Sequence, residues 1–233
     1  MRLLRRLPAR RAELLGSLLL VLGSFGLAGF LHDQSADEPA LLLILITLEI
    51  LVPLAMGLLS AGLLAGDPAL DLLLSAHRPA WQTLLERLLF VGGVGVLLSC
   101  IALGLAAGWD LSLPKEGSAQ LYLWLSPMLF YMGLSSAVAL LRGRMLDGAL
   151  VSLGVMGVSL MLVNQIPRLC ARATPGDNCL AWLASPMMTL GSPAGAYWPL
   201  NRLFWLFAGA ALLGLSLRLA CREEPLLREV STE

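Results

Sequence analysis

Long apolar stretches, separated by short polar connections, dominate the chain. Six of them approach or exceed the roughly 20 residues that a helix needs to cross a lipid bilayer. The connection between the fourth and the fifth apolar stretch is short and covers only residues 142–145. These two helices should therefore be antiparallel neighbours. The pattern predicts an all-α, polytopic membrane domain covering residues 1–233, with six transmembrane helices near residues 14–31, 39–65, 88–109, 121–141, 146–163 and 203–221.

The distribution of basic residues predicts the orientation of these helices. Twelve of the 16 Lys and Arg residues fall at one set of helix ends, at positions 2, 5, 6, 10, 11, 78, 87, 142, 144, 218, 222 and 228. Cytoplasmic connections of membrane proteins carry such an excess. Both termini should therefore be cytoplasmic, with the chain in the plasma (inner) membrane of a prokaryote. Residues 222–233 would form a cytoplasmic tail.

Composition supports a membrane location and offers no support for a nucleic-acid partner. Hydrophobic residues make up 58% of the chain, charged residues 14%, and the mean hydropathy is +0.79. Soluble domains usually contain about a quarter charged residues. The formal net charge is zero, which gives no indication of a nucleic-acid partner. Residues 1–12 alternate Leu and Arg, which predicts an interfacial segment that contacts anionic lipid, enforces the topology, or does both.

The connection 67–87 predicts a short cytoplasmic helix. Asp67 followed by Pro68 is typical of a helix start, and Pro79 ends the segment. Between them Leu70, Leu73, Leu74 and His77 lie at helical spacing and form one apolar stripe. This helix could lie on the lipid surface, or it could dock a cytoplasmic partner.

The connection 165–202 is too long for a simple link. Its apolar middle is too short to span the membrane, which predicts a re-entrant or interfacial segment on the outer side, before the last span. Cys170 and Cys179 flank the turn sequence 175–178, so a disulfide between them is plausible in an oxidising compartment. No carboxylate or His cluster accompanies them, and no metal site is expected.

Glu49 lies in the middle of the second apolar stretch, where a carboxylate is costly. Its partner could be Asn164, Gln165 or Arg202, and Asn201 is a further polar candidate. Glu49 could make a structural hydrogen bond, act in substrate or proton handling, or lie nearer an interface than the pattern suggests. Pro53 in the same stretch predicts a tilt or a kink.

Motifs for membrane enzymes are missing from the sequence. It contains no G-x-x-x-x-G-K-[ST] for ATP and no H-E-x-x-H for zinc. Neither of its two His residues is in mid-membrane, so a bis-histidine haem site is not expected. We expect no enzymatic activity and no cofactor on this chain.

Three stretches together resemble the integral-membrane subunits of ABC exporters of the second export class, which are six-span permeases. The first runs from Glu49-Ile-Leu-Val-Pro-Leu to the leucine-rich residues 70–75. The second, residues 75–89, is similar to a segment that follows the coupling helix in the family, with the proline shifted and Arg87 where Lys is common. The third is Trp198-Pro-Leu-Asn-Arg-Leu-Phe-Trp-Leu.

The resemblance implies a permease subunit that couples ATP hydrolysis on a separate P-loop ATPase dimer, which would hold ATP and Mg, to export of an unidentified substrate. It implies a second permease copy or a homologous permease, surrounding membrane lipids and an optional periplasmic partner. The alternative is a mechanotransmitting or scaffold subunit, such as an assembly or immunity factor, that docks a cytoplasmic partner without moving substrate. The coupling residues it implies are Asp67, Leu70, Asp71, Leu74, His77 and Arg78.

Overall fold

The computed structural model describes residues 8–64, 80–111, 113, 118–171, 186 and 198–230. Every regular element over these residues is a helix, in agreement with the predicted all-α class. In chain order the helices are α1 (Pro8–Asp33), α2 (Asp37–Ile46), a π-helical turn (Thr47–Leu51), α3 (Val52–Leu64), α4 (Ala80–Gly108), α5 (Ser118–Arg142), α6 (Met145–Ala171) and α7 (Trp198–Val230).

Five apolar segments in the described ranges are long enough to cross a membrane, judged by length and composition. They are Asp37–Leu63, Trp81–Gly108, Gln120–Arg142, Met145–Leu162 and Trp198–Cys221. These are the spans of a multi-pass membrane protein. The first helix contains a shorter apolar stretch, Leu18–Asp33. The sixth span and the cytoplasmic location of both termini stay predictions.

The helices extend beyond several predicted limits. The apolar span of α4 begins at Trp81 and that of α7 at Trp198, earlier than Leu88 and Leu203. Residues 165–171, predicted as connection, belong to α6, and α7 continues through residues 222–230 of the predicted tail. Hydropathy locates the apolar part of a helix but not its polar ends, because backbone hydrogen bonding continues as long as the side chains tolerate it.

Helix α5 lies at the centre of the bundle. In the most apolar stretch of α5, 72% of the residues are buried, whereas 11% are buried in the corresponding stretch of α7. It contacts α3, α6 and α7, and its Leu123, Met128 and Tyr131 are among the largest fully buried side chains. By contrast α1, α4, α6 and α7 each expose large apolar side chains, including Phe30, Phe90 and Met161. Such an arrangement suits a bundle with its outer helices against lipid.

The turn between α5 and α6 brings the two helices together as antiparallel neighbours, as the short link predicted. Helix α5 ends at Arg142, and Gly143 adopts a left-handed conformation (φ 64°) that favours glycine at this position after a helix. Farther along, the hydroxyls of Ser135 and Ser152 are 2.5 Å apart. The polypeptide therefore reverses direction within two residues.

A π-helical turn interrupts the second span. The N–H of Val52 donates to the carbonyl of Thr47, five residues earlier. Pro53 explains why the register changes at this point, because a proline ring has no N–H and collides with the carbonyl four residues before it, which here belongs to Glu49. Widening the helix accommodates the ring. Pro53 thus accounts for a change of helical register one turn before the proline, and the predicted tilt or kink of the span stays a prediction.

Candidate functional site

Glu49 lies within the π-helical turn and is fully buried. Neighbouring residues of the same turn, Thr47 and Leu48, are also fully buried, so the turn faces the interior of the bundle. Widened turns of this kind are rare and occur frequently at functional sites. A carboxylate buried at this depth requires a compensating partner, since burying an isolated charge is very costly.

Arg202 supplies that partner from the first turns of α7. Its Nη2 donates a hydrogen bond to Oε1 of Glu49 at 2.5 Å, and both side chains are almost completely excluded from the surface. Of the three candidates that the sequence left open for Glu49, the structure brings Arg202 to the carboxylate. The pair joins the second span to the last.

Three further contacts hold Arg202 in place. Its Nη1 donates to the backbone carbonyl of Pro186 at 2.6 Å, and its guanidinium carbon is 5.5 Å from the centre of the Trp198 ring. The hydroxyl of Ser126 on α5 donates to the backbone carbonyl of Arg202 at 2.8 Å. Helix α7 is thereby attached at one level to the second span, to α5 and to the segment that contains Pro186.

The geometry favours a locking role for this cluster over acid–base chemistry. A proton donor or acceptor needs a route to its substrate or to water, whereas the side chains of Glu49 and Arg202 have almost no accessible surface. A charge-assisted pair in a low-dielectric interior is directional and demanding in geometry. Its effect is to specify how α7 sits against the second span.

The contact with Pro186 bears on the segment that precedes the last span. Pro186 is buried, and its carbonyl reaches a guanidinium inside the bundle. The prediction of a re-entrant or interfacial segment rests on neighbouring residues that lie outside the described part of the chain. Between residues 172 and 197 the structure describes only Pro186, and this residue is in contact with the protein interior.

The remaining predicted site residues fall into two groups. Asn201 is fully buried beside Arg202 on α7. The backbones of Asn164, Gln165 and Cys170 lie in α6, but their side chains are outside the described set. Also outside it are Cys179 and the whole predicted coupling segment: Asp67, Leu70, Asp71, Leu74, His77 and Arg78. Among the described residues no group of three or more His, Cys, Asp or Glu side chains could hold a metal.

Sequence reasoning missed two members of the cluster, Ser126 and Pro186. Ser126 precedes Pro127 inside α5 and is one of many serines in the apolar spans, so nothing distinguishes it. The contact of Trp198 with Arg202 could have been predicted from the sequence, because residues four positions apart lie on the same face of a helix.

Comparisons of the chain with family models, with curated proteins and with solved structures gave no match.

Proposed function

We propose that this chain is the permease subunit of an ABC exporter of the second export class. It would couple ATP hydrolysis on a separate P-loop ATPase dimer to export of a substrate across the plasma membrane of a prokaryote. The observation that carries the proposal is the buried contact between Glu49 and Arg202. These residues belong to two of the three stretches on which the resemblance rests, and they come together across 153 positions of sequence.

A second contact supports the proposal by linking the two ends of the predicted coupling loop. Nη1 of Arg87, near the start of α4, donates to the carbonyl of Leu63 at the end of α3 at 2.5 Å. The loop between these helices is therefore flanked by a hydrogen bond from the second turn of α4 to the last turn of α3. A partner that pushes on the loop would move α3 and α4 together.

These contacts give a continuous mechanical route through the bundle. Force applied to the loop would pass through α3 to the π-helical turn, and from Glu49 through Arg202 to α7. Nucleotide-driven closure of the ATPase dimer would favour one arrangement of these helices over another. ATP and Mg would bind only to the partner, and a second permease copy or a homologous permease would complete the transporter.

The sealed environment of the ion pair also favours a second candidate function, a mechanotransmitting or scaffold subunit. Such a subunit would use the same coupling loop and transmit motion to a periplasmic partner without opening a path. Both charges lie inside packed protein and neither lines an open space, which suits a helix lock. A permease and a mechanotransmitting subunit would share the ATPase and differ in whether the interior opens, whereas a scaffold would dock a cytoplasmic partner without ATP-driven motion.

The first experiment is gentle purification from native membranes, followed by mass spectrometry of stoichiometric partners. A co-purifying P-loop ATPase whose hydrolysis falls in the variants Asp71→Arg and Arg78→Glu would support the proposal. Arg144→Glu is the matched control, because Arg144 is an exposed basic residue between α5 and α6 on the same predicted side. Absence of an ATPase, or equal activity in all three variants, would contradict it.

A second experiment separates the permease from the mechanotransmitter. In a variant without native cysteines, Ser136→Cys puts a thiol at a fully buried position of α5. A permease should expose this thiol to a membrane-impermeant maleimide during ATP turnover. A mechanotransmitter or scaffold should keep it protected under the same conditions.

A further inference from the structure

An open groove lies between the beginning of α4 and the last turns of the apolar span of α7. It has a volume of about 370 Å³ and is lined by Trp81, Leu217, Arg218 and Cys221. This volume is within the range of pockets that hold small ligands, roughly 300–1,000 Å³. The ion-pair cluster contributes no residue to the groove, which is therefore a separate feature of the molecule.

The groove lies at one edge of the apolar band. The apolar span of α4 begins at Trp81, and the antiparallel span of α7 ends at Cys221. The groove therefore reaches from hydrocarbon depth to the level at which lipid headgroups lie. Tryptophan is enriched at that level. The predicted orientation assigns this edge to the cytoplasmic leaflet.

The described lining combines an exposed cation with an apolar wall. The Arg218 side chain is exposed, Trp81 is 40% exposed, and Leu217 is partly buried. Among the residues that the structure describes, the groove has no acidic side chain in its lining. The N-terminal end of α4 adds partial positive charge, because the first backbone N–H groups of a helix have no partner within it. A ligand that matches this lining has one anionic group and an adjoining hydrocarbon chain.

We propose that the groove binds an anionic phospholipid of the cytoplasmic leaflet. The phosphate would accept hydrogen bonds from the Arg218 guanidinium, whose planar fork suits phosphate oxygens. The upper part of an acyl chain would lie along Leu217 and the Trp81 ring. Charge complementarity and membrane depth select this occupant, and the proposal does not depend on an ATPase partner.

The test uses the full chain in nanodiscs that contain phosphatidylcholine plus a small fraction of brominated lipid. Bromine quenches nearby tryptophan, so subtracting the signal of Trp81→Phe isolates the contribution of Trp81 among the 6 tryptophans. We expect brominated phosphatidylglycerol to quench Trp81 at about five-fold lower mole fraction than brominated phosphatidylcholine, since one basic residue near the surface contributes about that factor.

The variant Arg218→Gln should remove the preference for phosphatidylglycerol. Arg142→Gln is the matched control, because Arg142 is an exposed arginine at the same predicted membrane face and outside the groove. Equal quenching by the two lipids in the unmodified chain, an equal loss in both variants, or no quenching of Trp81 at all would each overturn the proposal.

A second measurement does not depend on a variant that might misfold. Cys221 and Cys100 are both free and exposed, but only Cys221 lines the groove. In detergent, added phosphatidylglycerol should slow maleimide labelling of Cys221 several-fold more than labelling of Cys100, as read by mass spectrometry of peptides. Equal slowing at the two thiols would contradict specific binding.

Discussion

Gly133 on α5 and Gly209 on α7 lie against one another at a close contact between these two helices. A Cβ atom on Gly133 would be 2.8 Å from the carbonyl oxygen of Gly209. A Cβ on Gly209 would be 2.6 Å from the backbone of Leu129 and Phe130. Both distances are shorter than van der Waals contact, and the atoms concerned are mostly backbone. The central packing of the bundle therefore requires a glycine at both positions.

Replacement of Gly209 by Ala should destabilise the bundle. The added methyl group has no space, and overpacking of this kind costs about 1–3 kcal/mol. Gly214→Ala is the control on the same helix, because no atom lies within 4 Å of the Cβ position. It should be neutral or stabilising by up to about 1 kcal/mol. Unfolding followed by tryptophan fluorescence in detergent measures both, and equal stability of the two variants would contradict the predicted close contact.

Glu49 and Arg202 should behave as an interacting pair rather than as two separate sites. Glu49→Gln or Arg202→Met alone leaves a buried charge without its counterion, which costs about 3–5 kcal/mol. The double variant removes both charges and should lose less than the sum of the two, with a coupling energy of about 0.5–3 kcal/mol. The stabilities of the four proteins in a double-mutant cycle measure this coupling. Additive losses would mean that the pair does not lock the helices.

The pair of His32 and Asp37 provides the contrast for that experiment. Their side chains are 2.8 Å apart but 30% and 64% exposed. Exposed ion pairs contribute about 0–1 kcal/mol because water screens them. Asp37→Asn should therefore change the unfolding free energy by less than about 1 kcal/mol. A loss as large as that of Glu49→Gln would show that this assay does not distinguish buried from exposed pairs.

The comparison of Glu49 with its three candidate partners shows how far sequence reasoning extends. Hydropathy locates helices along the chain, and five predicted spans correspond to apolar helices within a few residues at most ends. It contains no information on the rotation and height of one helix against another. Asn164, Gln165 and Arg202 are therefore equivalent on sequence alone, and the structure places Arg202 at the carboxylate. The π-helical turn did have a sequence signal, since Pro53 follows Glu49 by four residues.

The close contacts of glycines could not have been predicted from their spacing. Gly209 and Gly214 occur in the same apolar helix, yet one is enclosed by α5 and the other is open. The difference depends on which face of α7 meets α5, and the weak periodicity of a membrane helix does not specify that face.

The candidate coupling residues are a different case. They lie at positions 67–78, which the structure does not describe, so they stay predictions from sequence.

The hydroxyls of Ser135 and Ser152 should couple α5 to α6. Both are fully buried and 2.5 Å apart. Ser135→Ala should cost about 0.6 kcal/mol, the average for side-chain hydrogen bonds between membrane helices, and at most about 1.7 kcal/mol. Ser152→Ala should add little once the first change is made. Ser216→Ala is the control, because the Ser216 hydroxyl donates to Leu212 of its own helix. A loss for Ser216→Ala as large as that for Ser135→Ala would mean that the interhelical bond contributes nothing specific.

Arg87 should stabilise the junction between α3 and α4 through its hydrogen bond to the carbonyl of Leu63. This carbonyl belongs to the last turn of α3, where backbone carbonyls have no partner within the helix. A cation at this end also interacts favourably with the helix dipole. Arg87→Met should therefore lower the unfolding free energy by about 1.5–3 kcal/mol, the range for hydrogen bonds to charged groups. Arg87→Lys should recover part of it, because an ammonium can reach the same carbonyl with fewer donors. Arg142→Met, at an exposed position in the last turn of α5, is the control and should be nearly neutral.

The proposed permease function adds an expectation for the same variant. Arg87→Met should uncouple ATP hydrolysis from the membrane subunit while the ATPase stays bound. Equal stability and equal coupling in Arg87→Met and Arg142→Met would show that this contact has no part in the mechanism.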